Sequence, residues 1–199
     1  SLCWDIGRAI TTAVLVLITG RAGPDGRAGH EHPRRTSAHA RGTIWRMSDI
    51  DLDRDAAWLS RDELDAAREK LPILYVDAVP VRVDDRGAVT GVGVLLRLGP
   101  EGEVARELVS GRVLHHERVR DALLRHIEKD LGPMAFPQLP ASPTPFSIAE
   151  YFPWPGPSGF MDARQHAVSL AYVVPVTGTC EPRQDALELT WLRPAEAAS

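Results

Sequence analysis

The chain has 199 residues, is 44% hydrophobic and 25% charged, and carries a formal net charge of −4. That suits one ordinary globular domain, and the acidic balance with no stripe of Lys/Arg argues against nucleic acid held through its phosphates. The two cysteines, Cys3 and Cys180, lack the spacing of a metal site or a disulfide framework, which fits a reducing, cytoplasmic setting.

Residues 9–19 (AITTAVLVLIT) form an apolar run of 11 residues, too short for a bilayer, which takes about 20. The flank that follows is rich in Arg, Gly and His and has no clean cleavage site. Two readings stay open: residues 1–46 are an extension with no part in the fold, or they are a targeting segment. Met47 opens a more ordinary sequence. Residues 60–70 (SRDELDAAREK) place Ser60 three residues before Glu63, a capping box. They predict a short helix ended by Pro72, within a short helical segment at 47–72 that precedes a domain over 73–199.

Residues 73–83 are β-rich but contain Pro80, which predicts an edge strand or a break there. Residues 84–87 (DDRG) read as a turn, 92–98 as a buried strand, 99–102 as a second turn, and 104–109 as a lead-in to the stretch that follows. In that stretch, from about 117 to 131, a helix is expected. At 100° per residue Val119, Ala122, Leu123, Leu124, Ile127 and Leu131 share one face. Asp130 falls inside that apolar arc, with His126 at its edge. A carboxylate buried there needs a partner, and in the last turn the helix dipole disfavours it. A compensating metal or base, or a frayed helix end reaching water, would each account for it.

Residues 133–157 hold eight prolines in 25 positions and predict a long loop without regular structure. Its aromatics Tyr151, Phe152 and Trp154, with Phe160 beyond, either pin the loop to the core or stack a nucleobase. Residues 167–176 and 186–192 read as strands and 193–198 as the start of a terminal helix. The order implies a mixed α/β layered domain.

Residues 111–133 (GRVLHHERVRDALLRHIEKDLGP) resemble the Nudix box, G-x5-E-x7-R-E-U-x-E-E-x-G-U, where U is bulky and apolar. Gly111, Glu117, Arg125, Ile127 and Gly132 match; Asp130 replaces the last Glu, His126 and Lys129 replace the other two acids, and Pro133 replaces the final apolar residue. The strand order and the ALELTWLRPAEA ending extend the resemblance over about 73–197. It implies a Nudix-type α/β/α sandwich with a mixed sheet, and hydrolysis of a nucleoside diphosphate derivative with Mg²⁺ or Mn²⁺. The pattern is similar to the GDP-mannose mannosyl hydrolase branch, whose box also lacks the middle acids. By that similarity Asp130 and the Ser110 carbonyl would hold metal, with Glu117 counted beside them. Arg112 would meet the diphosphate, and His166, outside the box, would be the base. Glu117 and Arg125 complete the implied catalytic set, and Trp154 is the aromatic expected against the substrate. A homodimer is compatible with the family; no membrane partner is expected.

Two function classes follow. One is a divalent-metal-dependent hydrolase of a nucleoside diphosphate derivative such as a nucleotide sugar, in which Asp130→Asn removes activity and leaves the fold intact. The other is a catalytically inactive Nudix-fold module that binds a nucleotide or a protein partner.

Overall fold

The computed structural model describes residues 58–98, 102–154, 158, 160–183 and 186–197. The apolar run at 9–19 and most of the turn at 99–102 lie outside them. The first described element is α1 (Arg61–Lys70), and its capping box forms as expected: Glu63 N–H donates to Ser60 Oγ, and the Glu63 carboxylate accepts from Ser60 N–H. Leu71 is already extended, because a residue before proline is driven out of the helical region.

Seven strands make one mixed sheet: β1 (Ile73–Val83), β2 (Val89–Leu98), β3 (Val104–Glu107), β4 (Val109–Arg112), β5 (Ser147–Tyr151), β6 (Ala167–Pro175) and β7 (Ala186–Leu192). The main path runs β3-β2-β1-β6-β5, with β4 also pairing β1 and β7 also pairing β2. The turn at Asp84 closes as its sequence predicts, with Gly87 at φ +79° and Asp84 accepting from the Arg86 and Ala88 amides.

Two expectations are corrected. The strand with Pro80 is the centre of the sheet, parallel to β6 over Ile73–Val81. On its other side β4 pairs Tyr75–Ala78 and β2 pairs Val81–Val83. Pro80 thus falls in the gap between two partners, where its missing N–H leaves no ladder bond broken. Gly93 makes room for it: a Cβ there would lie 2.9 Å from Pro80 Cγ and 3.2 Å from the Trp191 ring. The proline-rich segment also contains a strand, β5, whose five residues include no proline and which sits at the sheet edge against β6.

The second long helix, α2 (Val119–Leu131), covers one face of the sheet; its Ala122, Leu123, Ile127 and Leu131 pack on Val76, Ala78, Leu95 and Val109. The short α3 (Pro194–Ala197) lies on the other, where Ala197 joins Val79, Val81, Val92 and Val94. Alternation along β1 divides its side chains between these two cores. The result is the α/β/α sandwich with a mixed sheet that the sequence implied.

Candidate functional site

Strand β4 carries the start of the box along β1: Ser110 stands opposite Asp77, Gly111 opposite Val76 and Arg112 opposite Tyr75. The chain then leaves the sheet through residues 113–118 and enters α2. Glu117 lies outside the helix, two residues before its first turn. Its carboxylate accepts both Arg125 Nε and Nη2, each at 2.7 Å, and the Leu114 N–H at 2.9 Å. Arg125 Nη2 also donates to the Arg112 carbonyl at 2.9 Å. Burial works against the charge on Glu117, but the guanidinium and the amide outweigh it and hold the carboxyl below its ordinary range. Glu117 and Arg125 together therefore fix the loop to the helix.

His126 is buried, with its ring laid on Gly111: a Cβ at that glycine would come 1.8 Å from the ring's Cε1. Nε2 lies 3.0 Å from the Arg112 carbonyl. Burial lowers the imidazole pKa below its ordinary 6.5, which favours the neutral ring. Nε2 must then carry the proton, because it faces a carbonyl that only accepts.

Asp130 is wholly buried, as the helical pattern implied, and its partners are cations. Arg97 Nη2 of β2 stands 3.1 Å from Oδ1 and Lys129 Nζ stands 3.3 Å from it; Arg97 Nε reaches Glu107 of β3 at 3.1 Å. These are close ion pairs without well-aligned hydrogen bonds at either carboxylate oxygen of Asp130. Two acids and two bases thus make a neutral knot that ties the end of α2 to β2 and β3. A frayed helix end does not occur.

The metal set expected from the resemblance does not come together. Asp130 faces Arg97 and Lys129 and Glu117 is taken by Arg125 and Leu114, so the Ser110 carbonyl named with them has no free carboxylate of that set beside it. Among the described residues no three His, Cys, Asp or Glu side chains converge as metal ligands. A hard divalent cation wants several oxygen ligands and neighbours that are not cations; this donor set does not fit one.

What the fold does gather is a cationic and aromatic end of the sheet. Arg112 is half-buried, and among the described residues no carboxylate pairs with its guanidinium. Burial lowers its pKa from the ordinary guanidinium range, though the group stays charged at neutral pH. The half-exposed Trp58 ring lies 5.7 Å from Arg112 Cζ and 5.6 Å from Arg125 Cζ. Tyr75 beside them receives the Gln165 amide at 2.9 Å, and Gln165 accepts from Arg68. His166 comes to the same end, its carbonyl receiving the Ile73 N–H. Its ring stacks on Phe152 at 4.6 Å, and its Nε2 is buried without a hydrogen-bond partner. Trp154 is 59% exposed and 5.9 Å from Phe152. The tandem His115 and His116 are exposed on the loop.

Sequence reasoning passed over Trp58, Tyr75, Arg97 and Asp77. The last two had a signal: each is a charge inside an apolar strand. Asp77 is fully buried, accepts a hydrogen bond from Ser169 Oγ, and has Ser110 opposite. Burial pushes its carboxyl from 3.8 up to about 6, against the pull of the two serine hydroxyls. The folded state therefore holds this proton more tightly than the unfolded chain. Stability from the site is complete below about pH 4 and is lost as pH rises through about 6, roughly 3 kcal/mol in all for two units. Asp77→Asn should remove that slope. Thermal unfolding at pH 5 and pH 8 should show a smaller difference for the variant than for the parent; an equal difference would assign the slope to other groups.

The solved Jonesia denitrificans protein described as a possible asymmetric diadenosine tetraphosphate hydrolase is 66% identical to this chain, with a TM-score of 0.63; the match covers 65% of this chain and 82% of that one. A Burkholderia pseudomallei MutT Nudix hydrolase is 22% identical, with a TM-score of 0.44 over 62% of this chain and 84% of its own. The Nudix domain of Shewanella oneidensis NrtR, solved with ADP-ribose, is 17% identical, with a TM-score of 0.45 over 69% and 85%. No curated protein matches the chain. A family model described as "Domain of unknown function (DUF4916)" matches residues 54–199. With that match over most of its length, and with a degenerate Nudix box seated between β4 and α2 as in a Nudix fold, the chain belongs to the DUF4916 family and is a Nudix-fold protein.

Proposed function

We propose that the chain is a Nudix-type hydrolase that takes a nucleoside diphosphate or polyphosphate derivative, such as a nucleotide sugar or a dinucleotide, at the sheet end around Arg112. The observation that carries this reading is the half-buried Arg112 guanidinium, which has no carboxylate partner among the described residues, has the Trp58 ring 5.7 Å from its Cζ and stands opposite Tyr75 of β1. A guanidinium in partial burial binds phosphate with two parallel hydrogen bonds, and the exposed rings of Trp58 and Trp154 offer flat faces to a base. The 66% identical Jonesia protein, a possible asymmetric diadenosine tetraphosphate hydrolase, supports hydrolysis.

In this reading Glu117 and Arg125 keep the loop in shape, Arg112 binds the diphosphate, and His166, at the same end of the sheet, is the base that accepts a proton from water. A second reading, binding without turnover, is favoured by His126 and Lys129, which stand where the box has acids. The test is to incubate the full chain with nucleotide sugars and dinucleoside polyphosphates and identify products by mass spectrometry. The hydrolase reading expects products, about 10–100-fold less kcat/KM in Arg112→Ala, and a lower kcat in His166→Ala. Thermal stabilisation by a ligand with no product would leave the binding reading in its place.

A further inference from the structure

We infer that the box of this chain has been rebuilt to work without a divalent cation: an imidazole and an ammonium group occupy the places that its acids would use. Three observations meet here. The first is His126. Its ring fills the space directly over Gly111, and its Nε2 takes the Arg112 carbonyl. In this chain the ring needs the bare backbone of Gly111, whose φ is not positive, so conformational freedom is not what the position requires. The groove between β4 and α2 is packed with side chain rather than left open for an ion.

The second is the knot at Asp130. A dication approaching that carboxylate meets Lys129 at 3.3 Å and Arg97 at 3.1 Å. It would have to displace both against like-charge repulsion in a buried setting, where such repulsion is poorly screened. With Glu107 the knot is already neutral, so nothing there attracts a further positive charge. The third is Glu117, whose two oxygens are both used by Arg125, with Leu114 N–H as a further donor. The two carboxylates that stand at acid positions of the box pattern, Glu117 and Asp130, thus each have a cation supplied by the chain itself. The charge of a bound diphosphate would be met by Arg112 from the other side of the β4 backbone, with no ion bridging it to the helix.

The inference goes beyond the hydrolase reading and stands or falls separately from it: turnover decides the first, ion binding the second. Mn²⁺ is the probe, added alone to the full chain and followed by nuclear magnetic resonance. Bound in the box, its unpaired electrons would broaden the His126 Cε1–H and Gly111 amide signals at a fraction of an equivalent. The expected result is that both keep their width at one equivalent, or broaden no more than the Gly87 and Gly102 amides in the distant turns. Selective loss of the His126 and Gly111 signals overturns the inference. A double variant, His126→Glu with Lys129→Glu, returns the acids to the box. It should bind Mn²⁺ at least tenfold more tightly than the parent; a folded double variant with no gain would likewise overturn it. If the double variant does not fold, the parent's spectrum decides.

Discussion

Asp130→Asn is expected to lower the folding stability of the chain by about 3 kcal/mol, in the presence of chelator as much as in its absence. The carboxylate is wholly buried and balances Arg97 and Lys129. Removing its charge while keeping its shape leaves a surplus cation in the knot. Arg97 is only 15% exposed and cannot move to water, whereas Lys129, at 34%, can partly do so. Arg97 also keeps Glu107. Both facts place the cost at the lower end of what breaking a buried pair entails. Urea denaturation measures it as a fall in midpoint with unchanged slope. A pure metal ligand would behave oppositely: without metal, neutralising it would leave stability unchanged or improve it. That outcome would discard the structural role and restore the expectation from the box pattern, in which this substitution spares the fold.

The second large effect is at Gly111. A Cβ there would come 1.8 Å from His126 Cε1, 2.2 Å from Nε2 and 2.3 Å from Nδ1. No rearrangement of a flexible tip relieves this, since the ring is buried between strand and helix. Gly111→Ala must expel the imidazole, break its bond to the Arg112 carbonyl, or push α2 off β4. Overpacking of this kind costs about 1–3 kcal/mol and the lost hydrogen bond about 1 more. The substitution should therefore destabilise by about 3 kcal/mol. The mechanism is checked by a double-mutant cycle with His126→Ala. If the ring is the cause, the double variant should be more stable than the sum of the two losses by 1–3 kcal/mol. Additive losses would mean that Gly111 is needed for some reason other than the ring. Together the two experiments distinguish a box kept for metal from one kept for packing and ion pairing.

The sequence by itself determined whatever depends on near neighbours. Helix α1 was legible because its capping box spans three residues, the Asp84 turn because Asp and Gly set it locally, and the apolar face of α2 because helical periodicity repeats every few positions. The box motif was legible for the same reason, as was the fact that Asp130 and His126 fall on the buried face. What the sequence did not carry was the partner of each buried polar group. Asp130 meets Arg97 where α2 packs on the sheet, and Asp77 meets Ser169 through strand pairing, across 33 and 92 residues, and nothing local encodes which elements lie side by side. Pro80 misled because proline's cost depends on what stands beside the strand, and here the sheet leaves a gap at that residue. Only the tertiary structure could decide that the last acid of the box neutralises cations instead of facing a site: a carboxylate's role is set by the charges within a few ångströms of it, and those arrive from distant parts of the chain.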